Sequence, residues 1–266
     1  MRFFTLTLLC LIFLPLTAQA QTETPIGKFI AVSGGVFVLD ENEETSVENG
    51  DPVFMDDVVE TESNARALIE FKDETELVLG SNTRLEMNTY VFDPADTDNN
   101  KGDFTIKGPF VWMSGLLPKD NKNVTIDTGF GSIGIRGTTV WGGSLDQKFG
   151  VFVFDGKVLF TTETGRVSIE NGEGVFIKDQ RTALNVKKWG DPKIAAAVDT
   201  VKFADNFSPT QNYARAILGE KPQEEPNQEE IPADDEPVPD DLAPPENELA
   251  PPSNDEDADT EIQNEN

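Results

Sequence analysis

The groups best able to do chemistry in this chain are an arginine set in an apolar strand, an acidic loop, a few tryptophans and a large excess of carboxylates. Arg136 follows Ile133 and Ile135 and precedes Gly137-Thr138. A guanidinium offers five donors, enough to satisfy the carbonyls of a turn or to hold a carboxylate. Gly137 permits a backbone conformation closed to other residues. Arg136, Gly137 and Thr138 therefore make either a pinned turn or a binding group. Trp141 precedes Gly142-Gly143, where its ring would stand on a loop and anchor a partner or a sugar. The alternative for Trp141, as for Trp112, Trp189, Phe110 and Phe130, is a place in the core. Asp96-Thr97-Asp98-Asn99-Asn100-Lys101-Gly102-Asp103 has some calcium-loop character. Position six is Lys101 and position twelve is Lys107, where an EF-type loop needs glycine and glutamate. It reads as a polar loop, and no metal or cofactor is expected.

Composition removes further chemistry. The 266 residues hold 49 acids, 21 bases, no histidine and one cysteine, for a net charge of −28. Without histidine there is no Ser-His-Asp or Cys-His nucleophile pair and no imidazole metal ligand. The acidic balance argues against nucleic acid, which needs a basic face, and against an anionic membrane surface. Two carboxylates suffice for glycoside hydrolysis, so composition alone leaves a carbohydrate-active enzyme open. No acid pair stands out from the background, and the expectation is a protein that is not an enzyme.

The elements that must position these groups read mostly with period two. Ala65, Ala67, Ile69 and Phe71 alternate with Arg66, Leu68, Glu70 and Lys72. Leu85, Met87, Thr89 and Val91 alternate with Arg84, Glu86, Asn88 and Tyr90. Val124 and Ile126 alternate with Thr125 and Asp127. These are half-buried strands. Asp155-Gly156, between Val151–Phe154 and Lys157–Phe160, predicts a two-residue hairpin. Asn49-Gly50 and Asn171-Gly172 are further turn signals. Short strands with turn residues between them predict an all-β antiparallel sandwich or roll. After Trp189 the period changes. Asp191-Pro192 reads as an N-cap and first helical position for a helix over 193–204, and Ser208-Pro209 starts a second over 210–218. Ile194, Val198, Val201 and Phe203 would pack the first onto the sheet.

The two ends are different material. Arg2, the apolar run Phe3–Leu16 and Ala18-Gln19-Ala20 form a signal peptide over residues 1–20, cut so that the mature chain begins at Gln21. Cys10 lies in that segment, so the mature chain has no thiol chemistry and no disulfide. The β-domain occupies 21–186 and a short helical segment 187–219. Residues 220–266 hold 18 acids, one base (Lys221), nine prolines and no aromatic residue. Such a segment cannot bury enough apolar area to offset its chain entropy, so a disordered acidic tail is expected.

Within the β-domain, Thr128-Gly-Phe-Gly-Ser-Ile133-Gly134-Ile135-Arg136-Gly137-Thr138 resembles the signature of the FecR domain family, a strand leading into a Val/Ile-Arg-Gly-Thr turn. Gly34-Gly35-Val36, Gly50-Asp51, Val58-Val59-Glu60-Thr61, Ala65–Phe71, Phe110–Gly115, Val151–Phe160 and Asn171–Gly174 follow that family's order over about 25–185. The resemblance implies a jelly-roll-like sandwich. It also implies extracytoplasmic sensing, since the family's best-known members pass a signal inward to a sigma factor that controls iron-chelate uptake. A cleavable signal in place of a cytoplasmic segment and membrane helix points instead to an exported binding or scaffolding module, periplasmic or extracellular. It would recognise a protein partner or an envelope polymer, with Arg136, Gly137, Thr138 and Trp141 as candidate binding residues. The alternative is a structural envelope or surface component. Oligomeric state does not follow from the sequence.

Overall fold

The computed structural model describes residues 23–40, 43–116, 124–204 and Tyr213. The chain divides into two units, Met1–Pro222 and Gln223–Asn266. The second unit, with most of the expected acidic tail, lies outside the described residues. So do the expected signal peptide and, apart from Tyr213, the second expected helix.

Among the described residues there are two sheets of nine strands. Sheet one runs, edge to edge, through β4 (Pro52–Val53), β1 (Gly27–Ser33), β6 (Arg66–Phe71), β7 (Glu76–Leu79), β10 (Phe110–Met113), β13 (Thr139–Leu145), β14 (Lys148–Asp155), β17 (Glu173–Ile177) and β18 (Lys187–Lys188). Sheet two runs through β3 (Glu43–Ser46), β2 (Val36–Asp40), β5 (Val58–Thr61), β8 (Arg84–Val91), β9 (Lys101–Lys107), β11 (Val124–Thr128), β12 (Gly131–Ile135), β15 (Lys157–Thr162) and β16 (Gly165–Glu170). The antiparallel two-layered body is the one expected. The chain lays one or two strands in one sheet, crosses, and lays the next in the other. Along each sheet the strands follow chain order after the first hairpins, so the body is a roll. One neighbouring pair, β9 and β11, is parallel, because the single strand β10 lies between them in the other sheet.

The three Asx-Gly pairs do not close hairpins. Asp155-Gly156 joins β14 to β15, Asn49-Gly50 joins β3 to β4, and Asn171-Gly172 joins β16 to β17. Each step changes sheet. Their glycines have φ of 94, 85 and 77° at Gly50, Gly156 and Gly172, which lets the chain turn a sheet corner. A two-residue hairpin falls instead at Asp146-Gln147, between β13 and β14, with both residues at positive φ (50 and 60°). The alternation expected for β8 also reverses partway. A register shift between Met87 and Thr89 places Tyr90 against the core and leaves Val91 40% exposed.

Between the sheets lies one core, with Phe29, Ile69, Leu77, Phe104, Trp112, Ile126, Ile133 and Phe160 buried. Phe104 and Trp112 meet at 5.0 Å and Phe71 stacks on Tyr90 at 5.4 Å. Sheet one is covered on its outer face too. Ala31, Leu68, Val78, Val111, Trp141 and Phe152 sit opposite one another across six strands and form a single apolar row. Trp189, Ala197, Val201, Phe203 and Tyr213 close over that row. Each large side chain buried there contributes about 1.5–3 kcal/mol. Ala197 belongs to the helix α1 (Asp191–Asp199), shorter than expected by five residues at its end. Its N-cap is Gly190, with no side-chain bond, so Asp191 stands inside the helix. Ile194 and Val198 pack as anticipated.

Candidate functional site

Arg136, Gly137 and Thr138 form the corner that carries the chain from β12 in sheet two to β13 in sheet one. Thr138 is buried, and its amide donates to Ser114 Oγ at 3.1 Å. Ser114 N–H returns a bond to the Thr138 carbonyl at 3.0 Å, and Trp112 Nε1 donates to the same Ser114 Oγ at 3.1 Å. Gly137 has φ +60°. Gly156, at the next corner, presses on this one: a Cβ there would meet Thr138 Cγ2 at 2.7 Å and the Gly137 carbonyl at 2.8 Å. The two corners are thus interlocked. Gly137 and Thr138 are explained by the turn itself. Arg136 is exposed at the margin of the outer face of sheet two.

That face is uncovered by any described element. Thr125 and Asp127 of β11 stand opposite Gly134 and Ser132 of β12, which stand opposite Leu159 and Thr161 of β15. Asp103, Thr105 and Lys107 of β9 continue it, followed by Arg84 and Glu86 of β8. Arg84 Nε donates to Glu86 at 2.8 Å, and its guanidinium also pairs with Glu60, with both bonds raising the Arg84 pKa. The face is a broad, mostly polar sheet of mixed charge, with small side chains along β12 and one exposed apolar residue, Leu159.

Trp141, the fourth expected binding residue, is not on a loop. It lies in β13 with no exposed surface, beneath α1, and its Nε1 donates to Thr200 Oγ1 at 3.0 Å. Its ring lies over the cross-strand glycines Gly143 and Gly150, whose added Cβ atoms would approach it to 2.8 and 3.1 Å. Glycine at these positions is what allows an indole to lie flat on the sheet, and the ring is a packing group. Trp112, Phe110 and Trp189 are buried as well, and Phe130 stacks on Phe149 at 4.7 Å. In the acidic loop, Asn100 is buried and grips Asp93 at both its amide (2.7 Å) and its carbonyl (3.1 Å), while Asp96 accepts from Asn99 at 2.7 Å. These side chains close the loop on itself.

Two features had no usable signal in the sequence. The first is a recess of about 390 Å³ lined by Ser33, Asn64, Arg66, Asp199, Lys202, Phe203 and Ala204. Arg66 Nη1 is anchored on the Ala65 carbonyl and on Ser81 Oγ, but its Nε is buried without a partner and Nη2 reaches the Asp199 carbonyl only at 3.4 Å. Burial lowers its pKa. In the sequence Arg66 was merely the polar half of an alternation. The second is a buried polar knot at one end of the body. Asp73, fully buried, accepts from Tyr90 Oη at 2.8 Å and Thr75 Oγ1 at 2.5 Å, and its carbonyl accepts from Leu116 N–H at 2.6 Å. Thr75 Oγ1 accepts in turn from Gly115 N–H at 3.1 Å.

The knot sets a pH response. Burial, then the Asp73 charge, raises the Tyr90 hydroxyl pKa well above the ordinary tyrosine value. Burial also raises that of Tyr213, the only other tyrosine. A raised folded-state pKa means that the stability is intact below about pH 10, the unfolded value, and is lost as pH climbs beyond it. Each tyrosine should then steepen the loss by about 1.4 kcal/mol per pH unit. Urea midpoints from pH 9 to 12 should fall, and tyrosinate absorbance should appear together with unfolding. Tyr90→Phe should flatten the slope by about one proton. Early, non-cooperative tyrosinate formation in the native protein would contradict this.

Compared with known proteins, residues 57–159 match the family described as FecR protein. The match runs from β5 into β15 and contains the Arg136-Gly137-Thr138 corner, so the resemblance drawn from that segment is borne out over a narrower span than 25–185. Two crystal structures of a candidate anti-sigma factor from Parabacteroides distasonis ATCC 8503, at 2.50 and 1.65 Å resolution, are similar at 13% identity with TM-scores of 0.43. The similarity covers 52% of this chain and 62 and 63% of theirs, so the chain spans about three fifths of those proteins. No curated protein matches.

Proposed function

We propose that this chain is an exported, non-catalytic recognition module that uses a FecR-like β-domain to bind a protein partner or an envelope polymer outside the cytoplasm. The observation that carries the proposal is the uncovered outer face of sheet two, in a body whose strands β5 to β14 in both sheets fall within the FecR match. The matched span supplies β8, β9, β11, β12 and the first half of β15, the strands of the polar outer face of sheet two. Sheet one turns its outer face to α1 and the segment after it, so the two sheets differ in what they can offer. Polar residues in regular two-residue spacing on a rigid sheet suit recognition of an extended partner. Arg136 supplies a charge at the margin of that face.

The test places a photocrosslinking amino acid at position 136 or 132 in intact cells. Irradiation should give a discrete adduct with an extracytoplasmic species, and the adducted chain should begin at Gln21. In parallel, Arg136→Ala should remain folded by circular dichroism while lowering the adduct yield from position 132. An intact precursor confined to the cytoplasm, or equal yields with and without Arg136, would overturn the proposal.

A further inference from the structure

The four sheet edges are not equivalent. At one end of sheet one, β4 has two residues and includes Pro52, which has no N–H to offer. At the other end, β18 is two lysines, Lys187-Lys188. In sheet two, β3 carries Glu43-Glu44. Short length, proline and like charges are ordinary protections against edge-to-edge pairing. The fourth edge, β16, lacks all three. It is six residues long, Gly165–Glu170, and exposed at Arg166, Ser168 and Glu170.

Its free backbone groups can be assigned. Thr162 pairs with Gly165 around the two-residue loop Glu163-Thr164, so Gly165, Val167 and Ile169 share the hydrogen-bonded register with β15. Arg166, Ser168 and Glu170 turn their N–H and C=O groups the other way, off the sheet. Glu170 confirms the phase: its N–H donates to the Glu173 carboxylate at 3.1 Å. Among the described residues, neither Arg166 nor Ser168 has a backbone hydrogen bond outside the sheet ladder.

The side chains along this edge form a chemical palindrome, Arg166-Val167-Ser168-Ile169-Glu170. An antiparallel pairing of two copies centred on Ser168 sets Arg166 opposite Glu170, Val167 opposite Ile169 and Ser168 opposite itself. All these pairs are favourable. Opposite charges meet on the polar outer face, where Glu170 also pairs with Lys157 at 2.9 Å. The apolar pair meets on the inner side, where Ile169 is buried and Val167 packs against the core. A guard of one sign would repel a second copy, but a sign change about a central serine matches one.

We propose that β16 is a self-association edge: two copies of this chain pair β16 antiparallel about a two-fold axis at Ser168, joining their second sheets into one continuous sheet. Up to about six backbone hydrogen bonds form, with Glu170 N–H exchanging its carboxylate for the partner's carbonyl. The contact is small, so the affinity is that of a weak, concentration-dependent dimer, Kd in the range of about 1–100 µM.

Sedimentation velocity on the full chain, up to about 0.5 mM, tests this. The dimer fraction should rise with concentration. Arg166→Glu sets glutamate opposite glutamate and should weaken dimerisation at least about tenfold. The swap Arg166→Glu with Glu170→Arg restores both the complementary pairs and the original net charge, so dimerisation should return. Both substitutions are at exposed positions, and circular dichroism checks that each variant is folded. In a Cys10→Ser background, Ser168→Cys should oxidise to a covalent dimer, because directly opposed residues lie within disulfide reach. Ser132→Cys, in mid-sheet, should not. A parent chain that stays monomeric throughout, a single reversal without effect, or a swap that fails to recover dimerisation overturns the proposal.

Discussion

Trp141→Ala should cost about 3–5 kcal/mol of stability, one of the largest losses available from a single side chain here. The indole is fully buried between β13 and α1, and edge-on to Trp189 at 5.9 Å. Its removal leaves a cavity over Gly143 and Gly150 that the sheet cannot collapse to fill, since β13 and β14 are pinned in register by their ladder. It also strips Thr200 Oγ1 of the donor it faces, although that hydroxyl keeps its own bond to the Ala197 carbonyl at 2.6 Å. The cover should loosen before the sandwich does. Urea unfolding should report the loss, hydrogen exchange should rise in α1, and Trp189 emission should shift to longer wavelength. Trp189 is the better reporter because it stacks on Phe152 at 4.9 Å and Phe176 at 4.7 Å, with Lys193 Nζ 5.1 Å from the Phe176 ring. A Trp141→Ala variant of parental stability would mean that the ring is not the keystone of the outer face.

Gly115→Ala should cost at least about 3 kcal/mol, for a steric reason. A Cβ at position 115 would collide with the Asp73 carbonyl oxygen, the Glu74 carbonyl carbon and the Thr75 nitrogen. All three are backbone atoms, so no rotamer change relieves the contact. The turn cannot retreat either, because the Asp73 carbonyl holds Leu116 N–H and Thr75 Oγ1 holds Gly115 N–H. The substitution therefore opens the knot around buried Asp73, and Tyr90 should gain exposure. Gly129→Ala is the control: nothing lies within 4 Å of its added Cβ, and its midpoint should stay within about 0.5 kcal/mol of the parent. Equal midpoints for the two variants would show that the close approach is not as drawn.

These two positions also show why the sequence was legible in part. The alternation from Ala65 to Phe71 identified a strand, but Leu68 sat on its polar side without a reason. The reason is that Leu68 belongs to the outer row from Ala31 to Phe152, closed over by a segment more than a hundred residues later. Unbroken apolar runs such as Phe110–Met113 have the same cause, burial on both faces. Trp141 looked like a loop residue because Gly142-Gly143 follow it. Those glycines in fact make room for aromatic rings: Phe110 packs on Gly142 and the Trp141 indole on Gly143. The bulge after Met87 turned Tyr90 inward, which strict period two had assigned outward.

What the sequence by itself determined is whatever depends on neighbours along the chain: strand identity from alternation, turns at Asx-Gly pairs, a proline-started helix, and the Arg136-Gly137-Thr138 segment that carries the family resemblance. Only the tertiary structure decided which corner changes sheet, which sheet face is covered and which edge remains open. Corners, faces and edges are set by contacts between strands far apart in the chain. A turn residue reports its own φ, but not the sheet in which the next strand finds its partner.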